Sequence, residues 1–145
     1  MQGAAISWPE IEQERSRLLH DQNDVPPLDL GAGSQSKART VAEIAQNALK
    51  RPRHARALAG LARHLDAVGV LELGTCLGIT TAYLCKHATS VTTIEGNPAL
   101  AKHSEDVWQR LNVQNVTSIV GNFDDLLPSL PPFQAGETSP PAFAL

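Results

Sequence analysis

Two acids and a glycine-bent turn carry the chemistry that this sequence can offer. Glu72 stands inside an apolar run, between Leu71 and Leu73, directly ahead of Gly74 and Gly78. Glu95 closes a second, β-branched run and lies 21 positions after Gly74. In dinucleotide-type folds an acid at that distance, on the tip of the next strand, accepts hydrogen bonds from ribose hydroxyls. The plainer alternative is a solvated acid at a strand end. Glu72 is costly to bury unless it meets donors, which loop amides or a cationic ligand group would supply.

Those residues need a particular frame. The stretch VLELGTCLGITTAYLC, Val70 to Cys85, reads as a buried strand, a tight glycine loop and the start of a helix at Ile79. Loop glycines allow backbone N–H groups close to a ligand, and a helix start adds unpaired donors at the positive end of its dipole. The loop also distinguishes between ligands. A nicotinamide site wants G-x-G-x-x-G against a pyrophosphate. Here the pattern is G-x-x-x-G, with Cys76 where a middle glycine would stand, which suits a nucleoside without a pyrophosphate.

The flanking elements follow from caps and periodicity. Ser7 and Glu10 form a capping box for a first helix with Ile11, Leu18 and Leu19 as its apolar stripe, ending before Pro26-Pro27. Thr40 and Glu43 repeat the box for a second helix, with Val41, Ile44, Ala45, Ala48 and Leu49 on one face. Pro52 opens a third, whose Leu58, Leu61, Ala62 and Leu65 recur at helical spacing. After the glycine unit come a strand at Val91 to Ile94, a helix from Pro98 burying Leu100, Val107, Trp108 and Leu111, and a strand at Val116 to Val120. Alternating strands and helices predict an α/β fold: a Rossmann-like doubly wound parallel sheet with right-handed crossovers, preceded by N-terminal helices.

Two glycine- or proline-rich stretches resist assignment to the sheet. Asp29 to Ser34, DLGAGS, resembles a ligand loop, yet Val25-Pro26-Pro27-Leu28 is unsuitable as a central strand before it. An ordinary loop, or a lid over the site, is the better expectation. Five of the ten prolines fall between Pro128 and Pro141, so the end of the chain reads as a loop or disordered tail and not as another strand.

Composition excludes several classes. A chain of 145 residues, 42% of them hydrophobic, suffices for one domain with a real core. Net charge of −3 argues against a general nucleic-acid binder. Lys50, Arg51, Arg53, Arg56 and Arg63 form a basic stretch, but no aromatics interleave, and a solvated helix face explains it better. Cys76 and Cys85 lack ligand-like spacing to histidine, so neither zinc nor a disulfide framework is indicated and a cytoplasmic protein is expected. The N-terminus carries acids and lacks the apolar core of a signal peptide, and no apolar run is long enough to span a membrane.

On these residues the chain resembles a family. ELGTCLGITT is similar to the first motif of class I S-adenosylmethionine-dependent methyltransferases, in the form found in small-molecule O-methyltransferases of the catechol type. TIEGNP resembles the second motif and VGNFDDLLPSL the third-strand segment, so the resemblance runs from about Asp66 to Leu130. It implies S-adenosylmethionine as cofactor, with Glu72, Gly74, Thr75 and Gly78 at its methionine end and Thr80 near its carboxylate. Glu95 would hold the ribose, and Asn122, Phe123 and Asp124 would surround the adenine, although Phe123 serves equally well as a core aromatic.

The resemblance also exposes a shortfall. Such enzymes have a seven-stranded sheet of order 3-2-1-4-5-7-6, with ligands at the crevice where the order reverses. Only strands 1 to 3 are legible here. The expected organisation is an N-terminal helix and loop at 1–36, the cofactor-binding half of the domain at 37–130 and a Pro-rich tail at 131–145. The expected function is methyl transfer to a small-molecule acceptor, with no metal site and the catalytic residues unidentified. A non-catalytic S-adenosylmethionine-binding or interaction fragment is the alternative, and a nicotinamide oxidoreductase a more distant one. Strand 1 would be left with an open apolar edge, through which the chain would self-associate.

Overall fold

The structure, a computed structural model, describes residues 4–28, 37–130 and, for the backbone, 142–144. In chain order the elements are α1 (Trp8–Leu19), β1 (Asp24–Val25), β2 (Arg39–Thr40), α2 (Val41–Ala48), α3 (Pro52–His64), β3 (Gly69–Leu73), α4 (Ile79–Cys85), β4 (Ser90–Glu95), α5 (Pro98–Arg110), β5 (Val116–Val120), α6 (Phe123–Leu126) and β6 (Ala142–Ala144). The DLGAGS stretch, 29–34, and most of the Pro-rich tail lie outside the described residues.

Both capping boxes form. Ser7 Oγ accepts from the Glu10 amide while the Glu10 carboxylate accepts from the Ser7 amide at 2.7 Å. Thr40 and Glu43 do the same for α2. Each box satisfies N–H groups that a helix start otherwise leaves unpaired, which is why the chain enters a helix at these points. Along α1, Ile11 and Leu18 are buried as expected, but Leu19 points outward.

The third helix differs from its sequence reading. Its buried stripe is Ala55, Ala59 and Ala62, whereas Leu61 and Leu65 are 47% and 45% exposed. Of the expected stripe, Ala62 is buried and Leu58 packs half-buried against the core, while Leu61 and Leu65 face outward. Packing picked the alanines, because small side chains let α3 lie close against α4, its principal partner. Lys50, Arg51, Arg53, Arg56 and Arg63 are all exposed, as a solvated face requires.

The sheet runs β5-β4-β3-β6, with each neighbouring pair parallel. The order of the first three matches the alternating pattern of strands and helices. The fourth is a correction: Ala142–Ala144, placed by its prolines in a strandless tail, pairs with β3 at Val70, Leu71 and Glu72. The open edge expected on β3 is therefore occupied there, and the premise for edge-to-edge self-association falls with it. A separate ribbon, β1 against β2, joins α1 to α2.

The core lies between the sheet and the helices α1, α3, α4 and α5. Val70 and Val91 from adjacent strands share it with Ile11, Leu18, Tyr83, Leu84 and Val107. Trp8 stacks on Tyr83, ring centres 4.8 Å apart, and the Tyr83 hydroxyl donates to Glu12 at 2.6 Å. Thus α1 is bolted to α4 and belongs to the same packed body. Among the described residues no helix is long and apolar enough to cross a membrane.

Candidate functional site

Parallel pairing brings the candidate residues to one end of the sheet. Glu72 is in register with Thr93, Leu73 with Ile94, and Glu95 with Val120, so the strand tips of β3, β4 and β5 align. The turn from β3 to α4 folds across this edge. Gly74 and Gly78 adopt φ +87° and +75°, and Cys76 φ +54°, all in the left-handed region.

The turn's amides behave differently from the expectation that they would face a ligand. Gly74 and Thr75 donate to the Ile94 carbonyl at 2.9 and 3.3 Å, Cys76 to Glu95 Oε2 at 2.8 Å, and Gly78 to the Thr75 carbonyl at 3.0 Å. Glycine freedom here serves to lash the turn down on β4. At Gly78 it serves a second purpose, because a Cβ there would meet Ser104 Cβ and Trp108 Nε1 at 2.7 Å. Trp108 Nε1 donates to the Gly78 carbonyl at 2.9 Å, so α5 clasps the turn from below. Gly74 is open: among the described residues nothing lies within 4 Å of its Cβ position.

Glu95 is the hinge of this arrangement. One carboxylate oxygen holds the Cys76 amide and the other the Asn97 amide at 2.9 Å. Half-buried at the tip of β4, it joins the glycine turn to the entry of α5, which Asn97 caps. A carboxylate has about four acceptor sites. Two remain for hydroxyl donors from a ligand.

Glu72 does not reach the loop amides. It is 3% exposed, and its Oε2 accepts from Thr81 Oγ1 at 2.5 Å and Thr93 Oγ1 at 2.8 Å. Thr75 Oγ1 sits 2.6 Å from Thr93 Oγ1, completing a buried hydroxyl cluster. Burial raises the Glu72 carboxyl to about 7, outweighing the two threonine hydrogen bonds and the attraction of Lys50. Thr81 and Thr93 were missed as partners. The available signal was alternation: Thr93 shares the face of Val91 on β4, opposite Glu72.

The remaining candidates sit nearby in different settings. Thr75 is buried, and Thr80 lies in the first turn of α4 at the margin of burial. Asn122 caps α6 by accepting from the Asp124 amide at 3.1 Å. The Gly121 amide donates to the Glu95 carbonyl at 3.0 Å, which sets this segment beside the β4 tip. Asn122 and Asp124 are exposed, and Phe123 is half-buried outside the core cluster, so the core-aromatic alternative is set aside. Cys76 stays a thiol, its pKa pushed to about 11 by burial, and both cysteines are free. Among the described residues no cluster of histidine, cysteine or acidic side chains is placed for a metal.

A cleft of about 310 Å³ opens beside Glu95, between the β1–β2 ribbon and the start of α5. Pro26, Pro27, Leu28, Lys37 and Arg39 line it together with Glu95.

Comparison with known proteins agrees with this geometry. Cofactor-bound Rv0187 from MTB superposes with a TM-score of 0.56 at 32% identity, over 58% of this chain and 40% of that one. The O-methyltransferase TomG from Streptomyces achromogenes, solved in complex with SAM, gives 0.57 at 27% identity, over 60% and 41%. The fold is that of the class I methyltransferases. A protein-L-isoaspartate O-methyltransferase from Ruegeria sp. (strain TM1040) is 36% identical over 64 residues, 44% of this chain and 30% of its own length. The chain thus spans about two fifths of these solved structures and under a third of that curated relative. No family model matches.

Proposed function

We propose that this chain carries the cofactor grip of an S-adenosylmethionine-dependent methyltransferase acting on a small-molecule acceptor. The observation that carries the reading is Glu95, a half-buried acid at the β4 tip that fastens the glycine turn with two of its acceptor sites. The residues present fit the group: no described atom crowds the Cβ position of Gly74, and the tips of three parallel strands converge on the same edge. The cofactor would supply an electrophilic methyl group on a sulfonium.

On this reading Glu95 accepts from the ribose hydroxyls. Gly74, Thr75, Gly78 and Thr80 border the methionine end, and Asn122, Phe123 and Asp124 border the adenine. Glu72 acts from beneath, holding Thr81 and, through Thr93, Thr75. Residues 37–130 carry the grip. Its cysteines, free and with burial-raised pKa values, suit a reducing cytoplasm.

Calorimetry with S-adenosylhomocysteine tests the assignment. The wild-type chain should bind it, and Glu95→Ala should bind at least about tenfold more weakly, about 1.4 kcal/mol. Circular dichroism should show the variant still folded. Equal heats for the two proteins, or none for either, would count against the ribose assignment.

A further inference from the structure

We propose that the cleft between the β1–β2 ribbon and the β4 tip is a binding site for a small organic anion, a carboxylate or phosphate ester with an apolar body. The two arms of the ribbon diverge here: Pro26, Pro27 and Leu28 continue from β1, and Lys37 and Arg39 come from the β2 side. One arm is fixed in advance, because Asn97 Nδ2 donates to the Pro26 carbonyl at 3.0 Å. The cleft is thus held open by the same residue that starts α5.

Charge decides what it takes. Lys37, Arg39 and Glu95 are the charged residues lining it, two cations against one carboxylate. The Glu95 carboxylate already receives two backbone N–H donors, which offset part of its charge. Neither Lys37 nor Arg39 has an ion-pair partner among the described residues. Two cations against one partly neutralised carboxylate leave a net positive field in the concavity, and a guanidinium is suited to a bidentate grip on carboxylate or phosphate oxygens. The opposing wall of two prolines and a leucine is rigid and apolar. About 310 Å³ lies at the small end for a ligand pocket, enough for one ring and its anionic group.

The site goes beyond the cofactor reading and borders it at Glu95, while its own anion contacts are Lys37 and Arg39. Its test uses the full chain titrated with benzoate, phenyl phosphate and, as the neutral control, benzamide, followed by calorimetry. At least one anion should saturate, with benzamide at least about tenfold weaker. Lys37→Gln and Arg39→Gln should each weaken the anion about fivefold or more and leave S-adenosylhomocysteine affinity within about twofold, the separation expected of contacts made to different ligands. Preference for phenyl phosphate assigns a phosphate ester, and preference for benzoate a carboxylate. Failure of both anions to saturate, benzamide binding as tightly as benzoate, or unchanged anion affinity in the double variant would overturn the proposal. Absent S-adenosylhomocysteine binding in the same samples strikes the cofactor reading and leaves this site standing.

Discussion

At the scale of single residues, Glu72 shows how a carboxylate survives inside a parallel sheet. Two threonine hydroxyls, Thr81 and Thr93, donate to it in place of a cation, and burial still lifts its pKa from 4.5 to about 7. A raised folded-state pKa means that the native protein binds more protons than the unfolded chain between those values. Its contribution to stability is therefore fully present below pH 4.5 and lost as pH rises through about 7, a difference of about 3 kcal/mol. Denaturant unfolding at pH 5 and pH 7.5 should show most of that loss in the wild type and a flatter profile in Glu72→Gln. Parallel profiles would refute it. A second residue-scale contrast concerns the two loop glycines. Gly78→Ala must take up φ +75° and push a methyl into Ser104 and Trp108, which should cost about 3 kcal/mol. Gly74→Ala meets only the backbone strain at φ +87°, about 1 kcal/mol. Urea midpoints would separate them, and equal shifts would remove the packing argument. The positions of both acids and both glycines were legible in spacing. The direction of the loop amides was not, because whether an amide faces ligand or strand depends on how closely β4 lies, which only the folded register decides.

At the scale of elements, helix starts were the most legible features, since a capping box is a local bargain among four consecutive residues and owes little to the rest of the fold. Helix faces were less so. Of the stripe expected on α3, Leu58 and Ala62 face the core and Leu61 and Leu65 do not, because Ala55 and Ala59 fill the rest of the buried face. The seam between α1 and α4 lay beyond sequence reasoning altogether, since Glu12 and Tyr83 are 71 positions apart. That seam is testable. Burial and then Glu12 raise the Tyr83 pKa, so the phenol stays protonated and donates. Tyr83→Phe removes the hydrogen bond to a carboxylate that still holds Arg15, at a cost of about 2 kcal/mol. Trp8→Ala removes the stacked ring at about 3 kcal/mol. A cycle pairing Trp8→Ala with Tyr83→Leu, which removes the partner ring, should fall short of additivity by about 1 kcal/mol, the coupling of a stacked aromatic pair. Strict additivity in thermal or urea unfolding would show that α1 is held by other contacts.

At the scale of the whole molecule, the decisive feature is a strand that composition concealed. Propensity reads Ala142–Ala144 as the end of a proline-rich tail, because three residues between Pro141 and the last leucine are too few to show alternation. What recruits them is the unpaired side of β3, whose backbone groups at Val70 to Glu72 require partners. The result extends the order legible from the three longer strands into β5-β4-β3-β6, with β3 interior. An interior β3 matters for the site, because Glu72 lies opposite Ala144 and a slip of this strand would shift the carboxylate beneath the glycine turn. Deleting residues 142–145 should therefore have two linked effects. Sedimentation velocity should show association rising with concentration in the shortened chain relative to the full one, since an apolar strand edge is a template for a second copy. Exchange of the Cys76 amide, held by Glu95 across the β3–β4 pair, should quicken as the sheet edge loosens. Unchanged sedimentation together with unchanged exchange would mean that β3 is kept in place by β4 and the helices alone.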